Sequence, residues 1–175
     1  MRPLKREMRN LLLTRDPLAG AFNRIEIFTC LREQQALVHL GIQACCIAKI
    51  DLDHFKTVNN NYGHIMGDKT LQATARCLME RLRSYDRLFR YGVEEFPLCL
   101  PDIGPNAGKT LVERLRHGLA DMVITGESVK AFGITASFGF AATDPDSSVE
   151  DSVNRVAKAA GRNRTEMMAP EIGIS

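Results

Sequence analysis

A near-continuous apolar run from Gln43 to Leu52 predicts a central strand buried on both faces. Upstream, Phe22, Ile25, Phe28, Leu31 and Ala36 recur at helical spacing and predict an amphipathic helix over 21–40, stopped by Gly41. Asp16-Pro17 opens a turn that Gly20 closes, and the basic, apolar stretch Pro3 to Leu13 reads as a helix with no core of its own. Downstream, Phe55 to Asn61 reads as a short helix, broken by the Asn59-Asn60-Asn61 run and Gly63. Gly67-Asp68 leads into a helix over 69–83, with Leu71, Ala75, Leu78 and Leu82 on one face. Leu88 to Tyr91 and Phe96 to Leu100 predict a hairpin. A helix around Leu111, Leu115 and Leu119, a strand over 131–142 and a helix over 149–160 complete the chain.

Strands alternate with helices, which predicts an α/β layer fold with a mixed central β-sheet flanked by helices. The 175 residues suit one domain with a real core, and 45% hydrophobic with 25% charged residues is ordinary for a globular protein. A net charge of +2 gives no ground for nucleic-acid or membrane binding by bulk charge. The sequence has no apolar run of membrane-spanning length and no signal-peptide pattern. Five cysteines without a Cys-x-x-Cys argue against a disulfide framework or a zinc site. Cys45-Cys46, inside the apolar run, is expected to be buried and reduced, and the expected compartment is the cytoplasm.

The candidate chemistry is carboxylate. Asp51 and Asp53 stand at alternate positions at the end of the central strand, where a strand points both the same way. Tyr91-Gly92-Val93-Glu94-Glu95 sets two adjacent carboxylates at or just after a hairpin turn. On its own such a turn is better read as solvated and acidic. Neighbouring like charges are otherwise stabilised by a cation, and a hairpin lying beside the central strand brings Asp51 and Glu94 to one divalent ion.

The segment Arg90-Tyr91-Gly92-Val93-Glu94-Glu95-Phe96 resembles the signature hairpin of the GGDEF family, the diguanylate cyclases. The resemblance runs from Thr14-Arg15-Asp16-Pro17-Leu18 to Gly161-Arg162-Asn163-Arg164. It implies the palm fold of nucleotide polymerases and cyclases, and condensation of two GTP into cyclic di-GMP with release of two pyrophosphates. It implies Mg²⁺ or Mn²⁺ held by Asp51, the backbone carbonyl of Leu52 and Glu94, with Glu95 assisting metal or substrate. Lys56 is implied to contact phosphates, which makes Glu94, Glu95 and Lys56 the expected catalytic residues. Asn59 and Asp68 are implied to read guanine, Gly92 to admit the nucleotide, and Lys158 and Arg162 to hold the triphosphate. The Arg83-Ser84-Tyr85-Asp86 segment, of little weight as a bare Arg-x-x-Asp, matches by its offset the inhibitory product site, Arg83 and Asp86. The implied organisation is a signalling helix over 1–13, a cyclase domain over 14–168 and a tail over 169–175. The domain is expected to work as a homodimer behind an upstream sensor domain, with no nucleic-acid or membrane partner. A non-catalytic receptor for cyclic di-GMP or GTP is the alternative, and a palm-like interaction domain without ligand is a third.

The chain departs from the family pattern in places. Val93 replaces the second glycine and is expected to strain a turn that needs positive φ, and to crowd the nucleotide. Pro97 removes a ladder donor, so its strand is expected at an edge or with that position facing away from its partner. Leu18-Ala19-Gly20-Ala21 replaces the usual Leu-Thr-Gly-Leu, Asn60 stands in place of Asp, and Asn154-Arg155 in place of Leu-Tyr, which is expected to alter packing there.

Overall fold

The computed structural model describes residues 3–157 and 165–167. Its elements are α1 (Pro3–Thr14), α2 (Arg24–His39), β1 (Cys45–Leu52), α3 (Phe55–Tyr62), α4 (His64–Met79), β2 (Arg87–Leu88), β3 (Glu95–Pro101), α5 (Pro105–Ala120), β4 (Val123–Gly126), β5 (Val129–Gly133), β6 (Ala136–Ala142), α6 (Val149–Ala157) and β7 (Thr165–Met167). The main sheet has the order β2-β3-β1-β6-β7, and β4 pairs with β5 in a separate ribbon. β1 runs antiparallel to both neighbours, while β7 is parallel to β6, so the sheet is mixed as expected.

The period-two alternation of β1 divides the core. Cys46, Ala48, Ile50 and Leu52 join Leu71, Leu78, Phe96, Leu115 and Phe138 in the cluster under α3, α4 and α5. Cys45 and Ile47 face the other way, into a smaller cluster with Ile27 and Leu31 of α2, Cys99, and Val149 and Val156 of α6. Lys49 and Asp51 continue that second face, so it changes from apolar to charged toward the end of the strand.

Several expectations shift in detail. α2 starts three residues late because Asn23 caps it, its side chain accepting from the N–H groups of Ile25 and Glu26 at 3.0 and 3.3 Å. Its buried stripe is Ile27, Cys30, Leu31 and Val38. Ile25, expected inside, is 71% exposed, because it lies roughly 200° around the axis from Ile27. α4 starts at His64, not at residue 69: only Gly63, at φ +83°, separates it from α3. The apolar run over 131–142 splits into β5 and β6, and β4 was too short and too exposed to show a pattern.

Pro97 is not on an edge strand, since β3 lies between β2 and β1. Its carbonyl accepts from the Phe89 N–H at 2.9 Å, so that side of the residue faces β2. A residue in an antiparallel ladder points N–H and C=O to the same neighbour. The lost donor therefore falls on the short β2 side, and the long β1–β3 ladder keeps its bonds. Ala19 and Ala21 are both buried in the core, where small side chains fit beneath the Asp16–Gly20 turn.

Candidate active site

The end of β1 and the start of β3 bring the acids together. Asp51 is the cross-strand partner of Glu95, and the Leu52 N–H donates to the Glu94 carbonyl at 3.2 Å. Burial pushes the Asp51 carboxyl above the usual carboxylate range. Glu95 adds most to this after burial, Lys49 opposes it, and Glu94 and Asp53 add smaller increments. Asp51, Leu52, Glu94 and Glu95 thus meet in one place, with more negative charge than the local cations balance.

Asp53 does not join them. It lies one residue past β1, and its two carboxylate oxygens accept from Thr135 Oγ1 at 2.6 Å and Ser137 Oγ at 2.7 Å. Its N–H donates to the Thr135 carbonyl at 2.8 Å. Asp53 anchors the β1–α3 turn to the strand next door, which is why the expected alternation ends there.

Lys49 was not singled out by sequence reasoning. Its Nζ is 3.1 Å from Glu95 Oε1, with both side chains about one-third exposed. The signal was available: it is the one basic residue in the apolar run, two positions before Asp51 on the same face. Among the described residues, no group of three or more His, Cys, Asp or Glu side chains has metal-binding geometry. Two carboxylates and one carbonyl suit Mg²⁺ nonetheless, because that ion keeps several waters and takes phosphate oxygens. The Asp51 carboxyl is raised first by burial and then by Glu95, and a cation at this place would relieve the second.

The expected strain at Val93 is absent. Only His54 and Asp102 have positive φ among described non-glycine residues, and Gly92 is not among the positive-φ glycines either. Valine fits because the chain passes from Tyr91 to Glu95 in a wide loop, closed by the Tyr91 N–H donating to the Glu95 carbonyl at 3.1 Å. The Val93 side chain is 57% exposed. Gly92 leaves room beside the Glu95 side chain: a Cβ there would stand 3.2 Å from Glu95 Oε2, a tight contact that Glu95 would have to shift to relieve. Arg90 braces the loop from beneath. Its Nη2 and Nε donate to the Val93 carbonyl at 3.2 and 3.4 Å, and its Nη1 reaches Asp16 Oδ1 at 3.0 Å. The same Asp16 oxygen accepts from the N–H groups of Leu18 and Ala19. The sequence placed Asp16 at the opening of a turn and Arg90 only in the hairpin motif, and did not pair them.

On the other side of β1, α3 packs against α4. The Asn59 side chain lies directly over Gly67, where any Cβ would collide with its Oδ1. The next residue, Asp68, is exposed in the first turns of α4 rather than capping it, and Lys56 is exposed one turn before Asn59 on α3. His54 sits at the start of α3 in the left-handed region, exposed, as a helix-start histidine.

Arg83 and Asp86 pair with each other. Arg83 Nη2 donates to Asp86 Oδ1 at 2.6 Å, Nε lies 3.0 Å from Oδ2, and the Arg83 N–H donates to Oδ2 at 2.8 Å. Arg83 also donates to the Pro101 carbonyl at 3.0 Å, and the Asp86 side chain is fully buried. Lys158 and Arg162 lie outside the described residues.

A family model described as "Diguanylate cyclase, GGDEF domain" matches residues 13–168. The chain belongs to the GGDEF family. It is 38% identical over 157 residues to diguanylate cyclase DgcP of Pseudomonas aeruginosa, covering 87% of this chain and 23% of that protein. It is 34% identical over 163 residues to diguanylate cyclase VdcA of Vibrio cholerae, covering 85% of this chain and 45% of that protein. This GGDEF chain therefore spans about a quarter to a half of these relatives. The coiled coil and GGDEF domain of DgcB from Caulobacter crescentus, solved with c-di-GMP, superposes with a TM-score of 0.86 at 26% identity, covering 94% of this chain and 90% of that one. The palm-like cyclase fold expected from the hairpin is thereby established. Among the described residues, no helix of this GGDEF domain is long and apolar enough to cross a membrane.

Proposed function

We propose that this GGDEF domain is a diguanylate cyclase that condenses two GTP into cyclic di-GMP and two pyrophosphates. The observation that carries the reading is Asp51 lying opposite Glu95 across the paired ends of β1 and β3, with Glu94 beside them accepting from the Leu52 N–H, on a turn that Val93 leaves unstrained. Asp51, the Leu52 carbonyl and Glu94 would hold Mg²⁺ or Mn²⁺, which neutralises phosphate charge and orients the oxygens in such sites. Glu95, positioned by Lys49 and by the space Gly92 leaves, borders the same site and serves metal or substrate. Asn59 and Asp68 read the Watson–Crick edge of guanine: a carboxylate accepts from its N1–H and amine, and an amide does both. Lys56 meets the phosphates as a point charge, and Lys158 and Arg162 complete the triphosphate site.

The chemistry needs two such domains. Each presents one GTP, and the 3′-hydroxyl of one attacks the α-phosphate of the other, so the active form is a homodimer brought together by an upstream sensor module in the cytoplasm. Cyclic di-GMP returns to Arg83 and Asp86 as an inhibitor. The test is incubation of purified protein with GTP and Mg²⁺, with products resolved by chromatography. Cyclic di-GMP supports the enzyme; bound GTP with no product supports a receptor.

A further inference from the structure

Lys49 is the only basic residue of β1, and it shares a strand face with Asp51. Directly beside it stand Pro97 of β3 and Gly139 of β6, neither of which offers a side-chain acceptor. The ammonium reaches diagonally instead, to Glu95, the cross-strand partner of Asp51, and its Nζ donates to Glu95 Oε1 at 3.1 Å. Among the described residues, that oxygen is the one hydrogen-bond acceptor the ammonium has. Beside its stem, Ile27 and Phe28 of α2 and Val153 and Val156 of α6 wall an apolar cavity of about 160 Å³. Such a wall accepts the methylenes of a lysine and turns its charged end toward the acids and water.

We propose that Lys49 is a resident counter-cation of the acidic site, holding Glu95 against a bare divalent ion and releasing it when the ion arrives together with GTP. The proposal rests on the cyclase reading of the same acids and adds an order of binding to it. Asp51, Glu94 and Glu95 share this ammonium in the metal-free protein. A divalent ion brought alone to those carboxylates meets a positive charge already in place, and the two repel. A phosphate removes the conflict. It gives the ammonium a new anionic partner, which the flexible four-carbon stem and three rotatable donors of lysine can follow.

The pair is placed for such an exchange. Both side chains are about one-third exposed, so the ammonium can leave Glu95 without being stranded in an apolar interior. An ion pair this open to water contributes little to stability, and little is lost when it parts. Metal and nucleotide then bind with positive coupling, each raising the affinity for the other by the same factor. The sign of one substitution separates this role from a bland one. A lysine that only braced Glu95 would weaken metal binding when replaced, because Glu95 would lose its position. A counter-cation strengthens metal binding when replaced, because a competing charge is gone.

The experiment is titration of the whole chain with Mn²⁺ alone, read by electron paramagnetic resonance of the free ion, and repeated with a GTP analogue whose α,β-bridge is a methylene. Lys49→Met should bind Mn²⁺ alone at least about fivefold more tightly than the native protein, and the coupling between Mn²⁺ and the nucleotide should shrink by about the same factor. Lys49→Arg, which keeps the charge, should stay near the native value. Lys49→Gln repeats the measurement in case methionine disturbs the fold. Unchanged or weaker Mn²⁺ binding in the folded neutral variants overturns the proposal and leaves the cyclase reading standing. Failure of both neutral variants to fold would make Lys49 a structural residue and overturn it equally. Asp51→Asn, alone and combined with Lys49→Met, should lower Mn²⁺ affinity. Mn²⁺ binding that does not depend on Asp51 would overturn the metal site itself, and this proposal with it.

Discussion

Arg90 holds the carbonyl oxygen of Val93 from two guanidinium nitrogens, at 3.2 and 3.4 Å. The turn before the acids is thus braced by a side chain rather than shaped by a left-handed residue. Val93→Gly should relieve no strain. It should leave stability unchanged or lower it by up to about 0.5–1 kcal/mol, through the greater freedom glycine gives the unfolded chain. Denaturant titration checks this, and a gain above roughly 1 kcal/mol would reveal strain hidden at this position. Arg90→Ala, which also releases Asp16, should cost roughly 1.5–3 kcal/mol as a charged hydrogen bond is lost.

Asp51 should stabilise the fold less than an amide does. Its carboxyl is raised in the folded state, chiefly by burial and by Glu95. A raised carboxyl means that the folded chain binds more protons than the unfolded one, so stability falls as pH rises from the ordinary carboxylate range through the raised value. Asp51→Asn should therefore be the more stable protein at neutral pH, by a fraction of a kcal/mol given partial solvent screening. The difference should vanish in acid, while Mg²⁺-dependent GTP binding is lost. Melting curves at several pH values without metal check the first part, and calorimetry with GTP the second. Equal stability at every pH would show that Asp51 carries no such burden.

Gly67 allows the proposed guanine site to be tested apart from folding. An alanine inside a helix ordinarily gains about 1 kcal/mol over glycine, but here its Cβ displaces the Asn59 side chain. Gly67→Ala should keep the melting temperature within a few degrees and lower GTP affinity at least roughly tenfold, about 1.4 kcal/mol. Unchanged GTP affinity would remove Asn59 from the proposed guanine site.

Arg83 pairs with Asp86 and is the proposed product ligand. It neutralises a carboxylate with no exposure of its own, so Arg83→Ala leaves Asp86 buried with only the backbone N–H contact at 2.8 Å. The cost should be roughly 1.5–3 kcal/mol of stability. Cyclic di-GMP binding should also weaken, and calorimetry below the lowered melting point separates the two effects. Retained binding by a folded Arg83→Ala protein would place the product elsewhere.

Much of this was legible in the sequence, for identifiable reasons. β1 was visible because its ten-residue apolar run has few breaks, and the Asp51–hairpin meeting followed from strand alternation. The expected strain at Val93 failed because one missing glycine does not state the turn's dihedral angles; those depend on Arg90 and on the Tyr91–Glu95 bond. On α2 the expected Phe28 and Leu31 pack inward, whereas Ile25 and Ala36 are exposed, because hydrophobicity alone does not fix the edge of a stripe. The Lys49–Glu95 pair and the Cys45–Cys99 contact join residues far apart in sequence, which only the register of β1 against β3 brings together.

The decisive measurement is the initial rate of cyclic di-GMP formation from GTP and Mg²⁺ across a range of protein concentrations. On the proposed mechanism two domains must meet, each presenting one GTP, so the rate should rise with about the second power of protein concentration while dimers are scarce. Glu94→Gln should abolish the product and leave the fold intact. Saturable GTP binding with no cyclic di-GMP at any concentration would contradict the cyclase and leave a receptor.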